Sequence, residues 1–267
     1  MVQSDRVRED RRTRNRRATM EDLKAAALDE VRERGPAGVS LRSVARRMGM
    51  SASGLFRYVA SREELLTILI TDGYHDFADH LYVADGGGAR PADSPVTDRP
   101  QPRPLFVVDG TDDVAERARA VLLAYRQWAV EHPKEFALLF GDPIPGYAAP
   151  VDGPTTRGMR RLGAALAGPV LDAWRLGRLR VHPALGAADL ADALAPMAGD
   201  DLNLGGHRTP QAVHALLLTT WGRVHGQVSL EVFGHHAWIF PEGCEPLFRA
   251  EVEAMLADLG LVSQPGA

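Results

Sequence analysis

Apolar positions recur at helical spacing from residue 19 to residue 83. Met20, Leu23, Ala27 and Val31 share one face of a first helix. Thr19 stands as its cap, with Asp22 three residues on, where an acid suits the positive end of the helix dipole. The run "RGPAG" ends it: Gly35 can take the left-handed position after the last turn, and Pro36 blocks continuation. Ser40 caps a second, shorter helix. Ser61 and Glu64 form the S-x-x-E box of a further helix that carries Leu65, Ile68, Leu69, Phe77 and Leu81 as far as residue 83.

Residues 84–110 break the pattern. They are rich in Pro, Gly and Asp and bury too little apolar surface to fold alone, so they read as a flexible linker or long loop. Within them "PLFVV" is suited to packing on a neighbour. Helical spacing then resumes with Val114, Ala118, Val121, Leu122, Tyr125 and Trp128. "PKEFALLFGD" predicts a short helix from Pro133 to near Gly141, followed by the loop "DPIPGYAAPVDGP". Further helices are predicted over 155–177, 187–198, 210–234 and 244–258, with Pro210 at a first helical position behind Thr209. No alternating strand pattern and no internal repeat stands out. The expected fold is all-α: a basic disordered arm (1–17), a helical N-terminal domain with a connecting helix (18–83), the linker (84–110) and a larger helical domain (111–267).

Charge adds an asymmetry to this picture. The net charge is −4, yet residues 1–83 hold 15 Lys/Arg against 13 Asp/Glu, and residues 84–267 hold 16 against 22. The first 20 residues carry seven arginines and three acids. A basic end on an acidic body suggests an anionic partner at that end, the alternative being a solvated arm. No run approaches the roughly 20 apolar residues that span a bilayer, and the N-terminus has no apolar core of a secretory signal. The single cysteine, Cys244, excludes an internal disulfide and a Cys-based zinc site. These features predict a cytoplasmic protein with no membrane partner.

The stretch "SVARRMGMSASGLFRYVASREEL" (43–65) carries the chemistry. A helix-turn-helix needs a small residue where its second helix crosses the first, a residue tolerating positive φ at the turn, and an aliphatic side chain buried from the second helix. Ala45, Gly49 and Leu55 supply these in order, as A-x3-G-x5-L. The outward positions Ser51, Ala52, Ser53, Gly54 and Arg57 are small or hydrogen-bonding, which permits close approach to base edges. Arg42, Arg46 and Arg47 on the preceding helix suit phosphates, or are solvated charges.

Residues 19–66, carried by "AALDEVRERGPAGVSLRSVARRMGMSASGLFRYVASREELL", resemble the N-terminal domain of tetracycline-repressor (TetR) type transcriptional regulators. The resemblance implies a three-helix, helix-turn-helix DNA-binding domain, with Arg42, Ser43, Ser51, Ala52, Ser53, Gly54, Arg57, Tyr58 and Arg62 as candidate DNA contacts. Where the family commonly reads L-Y-x-H-F and then Ser-Lys, this chain reads "LFRYVASR". Phe56 lacks the hydroxyl that often bonds a phosphate, Tyr58 can replace it, and Arg62 keeps a cation where relatives often touch the backbone. "WGRVHG" (221–226) and "EHPKEFALLFGDPIPGY" (131–147) look like the Trp-His-Gly type of C-terminal domain in some of these regulators. Trp221 and His225 share one helix face, and Gly222 and Gly226 form a small-xxx-small strip. Plain packing, with a satisfied histidine, is the alternative to ligand contact.

The resemblance further implies a homodimer on a palindromic double-stranded operator and a small-molecule effector. Candidate pocket residues are Tyr125, Trp128, Phe136, Phe140, Tyr147, Trp174, Trp221 and His225. Candidate dimer residues are Leu217, Trp221, Val224, Val228, Phe248, Val252 and Met255, which an internal core could use instead. No catalytic residue, cofactor or metal site is expected: His225, His235 and His236 lack acidic or cysteine ligands at metal spacing, and "GGG" (86–88) has no phosphate-loop context. Two readings stay beside the ligand-responsive repressor. One is a DNA-binding protein whose second domain only dimerises; the other is a small-molecule-binding protein or enzyme with a merely structural helix-turn-helix.

Overall fold

The computed structural model describes residues 2–86, 113–187 and 209–262, with side chains from Thr13 onward. All regular elements among these residues are helical. In chain order they are α1 (Val2–Arg34), a 3-10 turn (Pro36–Gly38), α2 (Leu41–Arg47), α3 (Ala52–Leu55), α4 (Arg62–Ala84), α5 (Val114–Glu131), α6 (Pro133–Phe140), α7 (Pro154–Arg175), α8 (Pro183–Ala187), α9 (Gln211–Val232) and α10 (Glu245–Asp258). Beyond Gly86, the segment read as a linker lies outside the described residues, as does the 187–198 helix beyond Ala187.

Two helix starts differ from expectation. Thr19 does not cap α1, which begins at Val2 and runs through the segment read as an arm; the Thr19 hydroxyl donates back to the Asn15 carbonyl, as inside a helix. Pro210 stands at the cap of α9 rather than at its first position, its carbonyl accepting from the Val213 and His214 N–H groups.

The chain divides into two compact units, Met1–Gly73 with Lys134–Arg157 (unit 1) and Tyr74–Pro133 with Gly158–Ala267 (unit 2). In unit 1, α1, α2, α3 and the start of α4 bury Leu23, Val31, Val44, Leu55 and Leu65. Each such side chain contributes about 1.5–3 kcal/mol by leaving water. From α6, Phe136 is fully buried and Glu135 accepts a 2.7 Å bond from Arg32 of α1. Ser61 accepts from the Glu64 N–H, while the Glu64 carboxylate accepts from the Ala60 N–H, so the S-x-x-E box closes one residue outside the cap.

In unit 2, α9 and α10 both pack on α5. Tyr125 of α5 is fully buried, and Phe77 stacks on Trp128 with ring centres 4.1 Å apart. Several charged residues of this unit are paired. Arg117 bonds Asp85 at 2.8 Å and Asp172 at 2.9 Å, Arg126 bonds Glu231, and Arg119 bonds Glu253.

Candidate functional sites: a helix-turn-helix face and an apolar cavity

The turn between α2 and α3 is closed by two backbone bonds. The Gly49 N–H reaches the Arg46 carbonyl at 3.1 Å and the Met50 N–H reaches the Ala45 carbonyl at 2.9 Å. This is the Schellman pattern, which requires a left-handed residue after the last turn. Gly49 has φ +66°, and an added Cβ would meet nothing within 4 Å, so backbone conformation rather than crowding selects glycine there. Ser51 then caps α3 by accepting from the Gly54 N–H at 3.1 Å. Leu55 points inward and is fully buried.

This leaves a defined outward face. Ser51, Ala52, Ser53, Phe56 and Arg57 are exposed, Phe56 to 54%, with Gly54 and Tyr58 half-buried. Arg42 and Arg46 are exposed one turn apart on α2. Among the described residues none of Arg42, Arg46 and Arg57 forms an ion pair.

Three polar residues of this region serve the fold. Ser43 is only 4% exposed; its hydroxyl donates to the Ser40 carbonyl at 2.8 Å, while its N–H is capped by the Ser40 hydroxyl. It therefore stands inside the cap of α2 and not on the outward face. Arg62, expected at a DNA backbone, donates to the carbonyls of Val39, Pro36, Ala37 and Pro145. Arg47 is held by Glu30 and Glu33 of α1. Burial pushes the Glu30 carboxyl up, but bonds from Ser43 and Arg47 and the charge of Arg34 outweigh it and hold the group below the usual carboxylate range.

One residue of this face escapes sequence reasoning. Arg16 of α1 donates to the Arg57 carbonyl at 3.4 Å, and its guanidinium lies 5.6 Å from the centre of the Tyr58 ring. The basic count of the N-terminus pointed to an anionic partner at that end, but not to where any one arginine would dock.

Unit 2 contains a cavity of about 170 Å³ between α5, α7 and α9. Leu122, Met159, Leu162, Leu166, Val170 and Leu217 form most of its wall, with Tyr125, Trp221, His214 and Thr220 as the side chains bearing polar atoms. No charged side chain lines it among the described residues. Gly163 lines it too, and a Cβ added there would meet nothing within 4 Å. Pro169 removes one backbone donor from the interior of α7 beside this wall.

Of the expected pocket residues, Tyr125 and Trp221 line the cavity. His225 accepts or donates at 2.8 Å to the Tyr125 hydroxyl through Nδ1 and lies 3.3 Å from the Ser229 hydroxyl through Nε2. Burial lowers its pKa and raises that of the Tyr125 phenol. The rest lie elsewhere. Trp128 stacks between Phe77 and His132, and Trp174 packs against the Leu171–Val213 cluster. Phe136 and Phe140 pair in unit 1, where the Tyr147 hydroxyl meets that of Thr67 at 3.2 Å. Sequence reasoning missed His214, a lone imidazole on an apolar helix with no motif to mark it.

Of the expected dimer residues, Val224, Val228, Phe248, Val252 and Met255 are fully buried within one chain, and Leu217 and Trp221 face the cavity. The internal core uses them. Among the positions α9 leaves exposed is a stripe one turn apart, Leu218 (38% exposed), which also lines the cavity, Gly222, Gly226 and Leu230 (43%). Cβ atoms built on the two glycines meet nothing within 4 Å. Among the described residues no helix is long and apolar enough to cross a membrane, and no group of His, Cys, Asp and Glu is arranged to hold a metal.

Residues 23–67 match the family described as bacterial regulatory proteins, tetR family, and residues 118–255 match the tetracyclin repressor-like C-terminal domain. An HTH-type transcriptional regulator of Mycobacterium tuberculosis H37Rv is 36% identical over 259 residues, covering 93% of this chain and 97% of the relative. A counterpart in Mycobacterium bovis matches to the same extent. The solved structure of a protein described as regulatory superposes with a TM-score of 0.64 at 27% identity, covering 92% of this chain and 98% of that one. A protein of unknown function from Rhodococcus sp. RHA1 shares the fold, with a TM-score of 0.59 at 17% identity over 90% of this chain and 94% of its own.

Proposed function

Because the chain belongs to the bacterial tetracycline-repressor family of DNA-binding transcriptional regulators, we propose that it is a dimeric repressor released from a palindromic operator by a small-molecule effector. The observation that carries this reading is the exposed, unpaired set Arg42, Arg46 and Arg57 around a face of small residues, in a chain that also holds an apolar cavity. In this reading Ser51, Ala52, Ser53 and Gly54 let α3 approach the major groove, and Arg57 reads a base or phosphate. Arg42 and Arg46 contact phosphates, which position without specifying. Tyr58 supplies the hydroxyl that Phe56 lacks, with Arg16 laid on its ring. Ser43 and Arg62 act indirectly, by fixing α2 and the turns that flank it.

A second copy covers the Leu218–Gly222–Gly226–Leu230 stripe, where the glycines let two helices approach closely. Replacing Gly226 by Arg is then expected to yield monomers by sedimentation without loss of helical signal, since an added Cβ there meets nothing within 4 Å. The effector occupies the cavity and acts by binding the DNA-free geometry more tightly than the DNA-bound one. The protein works in the cytoplasm, and no catalytic role is assigned to it.

The test is selection of duplexes from a random pool by the purified protein. Enrichment of one palindrome supports the reading. No enrichment, even at low salt, contradicts it.

A further inference from the structure

We infer that the cavity of unit 2 takes a small, uncharged ring compound carrying one hydrogen-bonding group, and that His214 is the residue that reads this group. The inference rests on the proposal that this cavity is the effector site.

Size comes first. An apolar cavity of about 150 Å³ accommodates benzene. The volume here, about 170 Å³, leaves room for one ring and a small substituent.

The polar groups then narrow the chemistry. The Tyr125 hydroxyl is bonded to His225, His225 is also within reach of Ser229, and Trp221 interacts with the same hydroxyl. Three of the aromatic polar groups in this region thus satisfy one another. His214 does not share in this arrangement. It is 7% exposed, lines the cavity, and has no hydrogen bond among the described residues. Desolvation alone acts on it and lowers its pKa, so the ring is neutral, with one nitrogen donating and the other accepting. Thr220 adds a second small polar tip. An imidazole that faces the cavity without a protein partner leaves a donor and an acceptor for a ligand to meet. A carboxylate or an ammonium would find no opposite charge among the described wall residues and would lose its hydration on entry.

Calorimetric titration of the purified full-length protein with phenol, toluene and benzoate tests the assignment. Wild type is expected to bind phenol about fivefold to tenfold more tightly than toluene and to bind benzoate least. His214→Leu is expected to abolish the preference for phenol while still binding toluene, and His214→Gln to retain part of it. Gly163→Leu, which fills open space on the cavity side of α7, is expected to lose both ligands without loss of helical signal. Equal affinity of wild type for phenol and toluene overturns the assignment. So does an unchanged preference in His214→Leu, benzoate binding as tight as phenol, or binding of neither ring compound. These titrations contain no DNA, so their outcome is independent of the duplex selection.

Discussion

Three arginines of unit 2 and three of unit 1 behave differently. In unit 2, Arg117, Arg119 and Arg126 are each clamped by carboxylates. In unit 1, Arg47 and Arg62 are also consumed by the fold, one by Glu30 and Glu33, the other by four carbonyls. Arg42, Arg46 and Arg57 remain exposed with no ion pair among the described residues. The same subtraction applies inside the cavity: once Tyr125, His225, Ser229 and Trp221 have engaged one another, His214 is left over. A functional polar group is one the fold has not used, and residue type alone does not tell the two kinds apart.

The largest effect expected from breaking this contrast is structural. Arg117→Met removes the shared partner of two nearly buried carboxylates, Asp85 and Asp172. The expected loss is about 3–5 kcal/mol, read by chemical denaturation, with no direct change to the helix-turn-helix face. A smaller loss is expected from Gly49→Ala, because a Cβ in the left-handed region costs about 1–2 kcal/mol. Operator affinity should fall with it, because the turn sets the exit of α3; affinity that holds while stability drops would show that α3 does not depend on the turn. The smallest effect separates support from contact. Ser43→Ala removes a buried hydroxyl bond worth about 1 kcal/mol. It should lower the denaturation midpoint while leaving the salt dependence of DNA binding unchanged; a reduced salt dependence would restore Ser43 to the contact surface.

The turn was legible in the sequence because its requirements are local: Ala45, Gly49 and Leu55 answer packing and φ constraints that spacing alone expresses. The outward position of Ser51, Ala52, Ser53 and Arg57 followed from the same register. Ser43 and Arg62 were misplaced because their partners, the Ser40 cap and the carbonyls of Pro36 to Val39 and of Pro145, are set by how turns fold back. The apolar faces of α9 and α10 supplied the candidate dimer residues, but periodicity does not say what covers them; α5 of the same chain packs on both helices. The cavity was half legible. The candidates were all aromatic or histidine side chains, and Trp128, Phe140, Tyr147 and Trp174 found other partners. The Leu and Met positions of α7, and His214, carried no local signal that a space would open beside them.

The most direct test of the central claim is the salt dependence of binding to the selected duplex, measured by fluorescence anisotropy for wild type, Arg57→Ala and Arg42→Ala. Each phosphate contact contributes roughly 0.9 to the slope of log affinity against log salt. The account predicts a steep slope for wild type, a slope shallower by about one for Arg42→Ala, and for Arg57→Ala a weaker affinity, all with unchanged thermal stability. Wild-type and variant curves that superimpose would contradict it.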